Sequence, residues 1–120
     1  MITVTEKISL TTNAGGAATT QTNAKYFGKL YAVQLVDGDF DDGVDLVLTC
    51  ETPDLSIPLL TIANFNTDQM QYPRVLQNLN TDGTALATHT PPVVAGTIKA
   101  VIAQGGNVKS GAVICFIDEG

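Results

Sequence analysis

Apolar and polar residues alternate from the start of the chain. Ile2, Val4, Ile8 and Leu10 fall on one face of ITVTEKISL (residues 2–10), with Thr3, Thr5, Lys7 and Ser9 on the other; Glu6 is the one charged residue on the apolar side. A period of two predicts a half-buried strand. VDLVLTCE (44–51) repeats the pattern, with Val44, Leu46, Leu48 and Cys50 inward and Asp45, Thr49 and Glu51 outward. In GKLYAVQLV (28–36), Leu30, Ala32 and Val36 oppose Tyr31, Val33 and Leu35, so both faces are apolar and the strand belongs in the middle of a sheet. AATTQT (17–22) is Thr-rich and edge-like. LSIPLLTIA (55–63) is a strand interrupted by Pro58, which places it at an edge or at a bulge. AGTIKAVIAQGG (95–106) is a strand closed by Gly105 and Gly106, and GAVICFIDEG (111–120) is apolar on both faces through residue 117.

Turn chemistry separates these runs: TNAGG at 12–16, TPD at 52–54 and NTDG at 80–83. The stretch 64–84 is less regular, and residues 68–71 are the one place where a helical turn is predicted. Pro73 then holds Tyr72 extended, and Pro91 with Pro92 keeps 85–94 out of a helix. No segment sustains a period of 3.6, and no crossover helix is available for a parallel sheet. The expected fold is all-β: an antiparallel β-sandwich, jelly-roll-like, of about eight short strands, with residues 1–120 forming a single domain.

Composition adds little about chemistry and more about setting. A chain of 120 residues buries about two thirds of its unfolded surface, enough for a core without disulfides or metal. Charged residues make up 15%, against an ordinary value of about 25%. A surface of Thr, Asn, Gln and Gly suits a β-rich protein built into an assembly. The net charge is −6, and the six cations (Lys7, Lys25, Lys29, Arg74, Lys99 and Lys109) are scattered, so neither a phosphate backbone nor an anionic membrane is an expected partner. The N-terminus lacks the basic and apolar regions of a signal peptide, and no apolar run approaches the roughly 20 residues of a membrane span. The expected setting is a cytoplasm, or a particle assembled in one. Cys50 and Cys115 each sit in an apolar strand pattern, which reads as two buried thiols.

The densest charge is DGDFDDGVD (37–45). Asp37, Asp39 and Asp41 have the spacing that opens a calcium loop, but Asp42 stands at its sixth position, Gly43 comes one residue late, and Leu48 occupies the twelfth position. An EF-hand is thereby excluded. A looser cation site at these aspartates remains as one reading; a solvated strand connection, with Asp42 and Gly43 supplying the turn, is the other. His89, the sole histidine, lies in THTPP with no nucleophile beside it, and the serines (Ser9, Ser56 and Ser110) occupy no GxSxG elbow. The glycine pairs at 15–16 and 105–106 precede neither a helix nor a GK[ST], so they read as turns rather than phosphate loops. The chain reads as non-enzymatic, with no cofactor. Tyr72, Pro73 and Arg74 stand out differently: Tyr and Arg are enriched at interface hot spots, and a proline between them limits their freedom.

Taken together, TTNAGGAATTQT, GKLYAVQLV, the acidic loop leading into VDLVLTCE, PLLTIANFN, YPRVLQNLNTDGT and IKAVIAQGGNVKSGAVICFI cover nearly the whole chain. This pattern resembles small structural proteins of tailed bacteriophages, found among head and head–tail genes. The resemblance implies a virion component with a β-sandwich fold and no catalytic activity. Its expected role is a capsid decoration or cement protein, bound to the major capsid protein or other virion proteins and often trimeric. A head–tail or tail accessory protein and a carbohydrate- or receptor-binding module are the alternatives. Tyr72 and Arg74 are the interface candidates on this reading. Ile2 and Val4 join them, because an N-terminal strand is able to pair with the edge of an adjacent subunit.

Overall fold

The computed structural model describes residues 2–78 and 85–120. The turn expected at 80–83 lies outside the described residues. The described residues form ten strands: β1 (Thr3–Thr11), β2 (Ala18–Gln21), β3 (Tyr26–Val36), β4 (Asp45–Glu51), β5 (Ser56–Ile62), β6 (Gln69–Gln71), β7 (Val75–Asn78), β8 (Ala85–Thr90), β9 (Val93–Ala103) and β10 (Ser110–Asp118). No helix occurs among the described residues. Every strand pairing is antiparallel, as the alternating patterns predict.

The main sheet has eight strands in the order β1-β10-β3-β9-β4-β5, with β2 added to β9 and β6 added to β3; β7 and β8 form a separate hairpin. The two longest strands do double service. β3 pairs with β9 through residues 26–29, with β10 through 29–36 and with β6 through 33–35. β9 leaves β3 after Gly96 and pairs onward with β4 and β2. Two four-stranded groups result, β1-β10-β3-β6 and β2-β9-β4-β5, joined where β3 meets β9. Both contribute to one core: Ile8, Leu10, Val33, Leu35, Val113, Cys115 and Ile117 from the first, and Leu46, Leu48, Cys50, Leu59, Ile98 and Ile102 from the second. This all-β arrangement is consistent with the expected sandwich. At about 25 cal/mol per Å² of apolar surface, a shared core is the main force holding the layers together.

Three local findings refine the sequence reading. The two apolar faces of β3 come from a bulge: Phe116 pairs with Ala32 and Ile117 with Leu30, so Tyr31 is the unpaired extra residue. Leu30 faces the core before the bulge, Val33 and Leu35 face it after, and Tyr31 is pushed outward. β5 is an edge strand and also bulged, since Leu60 pairs with Leu48 and Pro58 with Thr49, skipping Leu59. Both consequences drawn from Pro58 therefore hold. The helical turn expected at 68–71 is instead strand β6, whose residues pair with Val33, Gln34 and Leu35. Two hydrogen-bonded anchors explain the difference: Asp68 accepts the Asp37 N–H at 2.8 Å, and the segment continues directly into the β3 ladder. An apolar stripe that would reward a helix is missing there.

Glu6, the exception on the apolar face of β1, has a partner that no local pattern announces. The Tyr26 hydroxyl donates to its carboxylate at 2.5 Å. Hydrogen bonding to Glu6, then burial, pushes the Tyr26 phenol up to about 12. Cys115, across the ladder from Glu6, is pushed up to about 12 by burial and then by that carboxylate. Cys50 and Cys115 are both free and buried.

Candidate interaction surface

The acidic loop is fastened to its surroundings residue by residue. Asp37 C=O accepts from Phe40 N–H at 3.1 Å, closing a turn through Gly38, whose φ is +59°. Asp39 N–H donates to Ser110 C=O at 3.0 Å, and Ser110 N–H donates to the Asp39 carboxylate at 2.6 Å. Asp41 N–H donates to Gly105 C=O at 3.0 Å, while its carboxyl sits where a Cβ on Gly106 would come within 2.5 Å of it. Gly43 takes the positive φ of +91° expected of the turn, and its N–H donates to Asn66 at 2.7 Å. Phe40 plugs the loop into the core and meets Phe65 edge-on, with ring centroids 6.2 Å apart.

Asp39 is thus held through its carboxylate as well as its backbone, whereas Asp37 and Asp41 are held through backbone groups bonded to Asp68, Phe40 and Gly105. Among the described residues, no three His, Cys, Asp or Glu side chains are grouped to hold a metal ion. Asp37 is the least favourably placed of the three: among the described residues its Oδ1 is buried without a partner, and burial raises its carboxyl above the usual range, helped by Asp42, Asp68 and Asp39. His89 is exposed on β8. The glycine turns fall where expected, and they also meet: Gly105 N–H donates to Gly16 C=O at 2.9 Å.

Tyr72 and Arg74, 41 and 43 residues from Tyr31 in sequence, are brought to it by β6. Pro73 between them is buried and acts as the anchor. The Arg74 guanidinium lies 5.7 Å from the Tyr31 ring centroid and donates to the Tyr31 C=O at 3.2 Å and to the Pro73 C=O at 2.6 Å. The bulge makes this contact, because it takes Tyr31 out of the β10 register. Thr3, Tyr31, Ala32, Met70, Tyr72 and Phe116 line a shallow groove of about 320 Å³ on the outside of the β1-β10-β3-β6 group. Tyr72 is 59% exposed, Tyr31 48% and Met70 41%, so this face presents aromatic and thioether surface to solvent, with a pinned arginine at its margin. Sequence reading singled out Tyr72 and Arg74. It missed Tyr31, Met70 and Phe116, because only the bulge and β6 bring them onto one face.

The two N-terminal candidates part company. Val4 packs against the core from its partly buried position, whereas Ile2 is 65% exposed beyond the start of β1. All of β1 is paired with β10 in the same chain.

A second concavity, of about 490 Å³, is lined by Gln21, Lys25, Phe27, Glu51, Thr97 and neighbouring backbone. Phe27 is 62% exposed there. Glu51 is paired with Lys99 at 2.8 Å and accepts from Ser56 and Thr49; the lysine, then the serine hydroxyl, holds its carboxyl below the usual range. The chain matches no protein-family model and no curated protein sequence.

Proposed function

We propose that the protein is a non-enzymatic structural component of a tailed-phage virion, a capsid decoration or cement protein that binds the outer shell through its aromatic face. The observation that supports this is the rigid grouping of Tyr31, Tyr72 and Arg74. These are the side-chain types that dominate interface energetics, and here a buried proline, a bulge and a cation–π contact fix them before any partner arrives. Preorganised aromatic surface lowers the entropy cost of docking, so the face is suited to clamping capsomers without chemistry. The major capsid protein is the partner this reading names.

The test is binding to purified capsids, measured by co-sedimentation, with Tyr72→Ala and Arg74→Ala compared with wild type. Loss of about 2 kcal/mol per hot-spot residue corresponds to roughly 30-fold weaker binding. The variants should fold normally, because both side chains are exposed. Wild-type protein that ignores capsids would remove the proposal. A second reading, a carbohydrate- or receptor-binding module, is favoured by one feature: the exposed Phe27 ring beside Gln21, Lys25 and Glu51 in the larger concavity. A glycan array with Phe27→Ala as control separates the two readings.

A further inference from the structure

The path from β1 to β5 through the sheet ends in two strands that are not equivalent, the four-residue β2 and the three-residue β6 being short additions off that path. β5 ends one side, with Pro58 in its middle, a residue with no N–H to offer a new strand. β1 ends the other side and contains no proline. The ladder to β10 fixes which of its groups remain available. Ile2 C=O accepts from Glu119 N–H, and Thr12 N–H donates to Lys109 C=O, so the even-numbered residues of β1 exchange hydrogen bonds with β10. The odd-numbered residues direct their N–H and C=O away from it. Ser9 C=O confirms the direction by accepting from the Thr20 hydroxyl of β2 at 3.4 Å. Among the described residues, Thr3, Thr5 and Lys7 have no partner for these outward groups.

We propose that β1 of a second copy of this chain adds antiparallel to this edge, with the two Thr5 residues on a two-fold axis. Charge selects that register. Centred on Thr5, Thr3 lies opposite Lys7 of the second copy, Val4 lies opposite Glu6, and no like charges meet. Centring on Glu6 places Glu6 against Glu6, and centring on Lys7 places Lys7 against Lys7; both are penalised. Centring on Val4 removes Lys7 from the ladder and leaves only Thr3 and Thr5 to pair. The Thr5 register satisfies the N–H and C=O of Thr3, Thr5 and Lys7 in both copies, and it stops short of Ser9, where β2 already covers the edge. A contact of this kind is isologous and closes on itself, so it yields a dimer and no fibre. It also joins two aromatic faces on one continuous sheet, because Thr5 pairs across β1 and β10 with Phe116, which lines the groove. The inference does not depend on the virion reading.

The test uses the full chain and light scattering across a concentration series. Wild type should have twice the 12.6 kDa chain mass. Thr5→Lys and Thr5→Glu each place like charges on the axis, and each alone should be at least tenfold weaker in self-association. Mixing the two restores the dimer, as only a register centred on residue 5 requires. Lys7→Glu, which faces Thr3 of the second copy, stays dimeric. Thr5→Pro removes an N–H that the fold does not use and gives a folded monomer by circular dichroism. A wild-type monomer at every concentration, the three-fold assembly expected from the phage resemblance, or a Thr5→Lys variant that dimerises as wild type would each overturn the proposal. Capsid binding is read in a separate assay, so failure here leaves that reading intact.

Discussion

Phe40 decides whether the acidic loop is a solvated tip or a packed part of the end of the fold. It sits in the middle of the most charged stretch of the chain, yet it is only 5% exposed. Its ring meets Phe65 at 82° and lies so close to Gly111 that a Cβ on that glycine would overlap it. Phe40→Ala removes the ring from a site walled by Phe65 and by backbone, which cannot easily collapse. Transfer of the ring alone accounts for about 2–3 kcal/mol, and the residual cavity raises the expected loss to about 3–4 kcal/mol. The unfolding entropy is about 2.1 cal/mol/K per residue. For 120 residues that makes 1 kcal/mol worth about 4 °C, so the midpoint should fall by about 12–16 °C. Urea unfolding with an unchanged m value, followed by circular dichroism, measures the loss. Phe40→Leu should recover part of it. A loss below about 1 kcal/mol for Phe40→Ala would refute the packing argument, since it would mean the loop leaves the core without consequence.

Three further outcomes follow from the same reasoning. Burial and the neighbouring aspartates raise the Asp37 carboxyl, so the folded state prefers it protonated; Asp37→Asn should raise the melting temperature at pH 7, with the gain shrinking as pH falls toward 3.8, and an equal gain at all pH values would contradict this. Tyr26 is raised from 10.0 to about 12, so its contribution is intact below pH 10 and is lost as pH rises through 12; Glu6→Gln should bring its tyrosinate titration down, and an unmoved titration would show that the Glu6 bond is not the cause. Pro58→Thr restores an N–H on the β5 edge beside the exposed Leu55 and Ile57, so concentration-dependent association should rise while chain stability shifts by about 0.5 kcal/mol or less; unchanged association would remove Pro58 as a guard of that edge.

Much of the strand content was readable from the chain alone. Alternation placed β1 and β4 and their inward residues, because a pleated strand sends successive side chains to opposite faces, and a run apolar on both faces placed β10. Pro58 announced its edge position because a missing N–H is a local property. The acidic loop was legible as a connection because the calcium pattern failed at named positions. Its packing was not, since Phe40 reads as one apolar residue among aspartates until Phe65 and Gly111 are known to surround it.

What tertiary structure alone decided is which strands meet and where they slip. Backbone hydrogen bonds are blind to side-chain identity, so alternation fixes a face without fixing a partner. The bulge at Tyr31 swaps the inward parity of β3, and the sequence records that as two apolar faces rather than as one face that changes sides. Glu6 looked like an error in a pattern until Tyr26 came to it across 20 residues. Tyr31, Tyr72 and Arg74 form one surface because β6 pairs with β3, a pairing carried by three residues with no periodic signal of their own. Short-range chemistry set the elements of this protein, and long-range pairing set its surface.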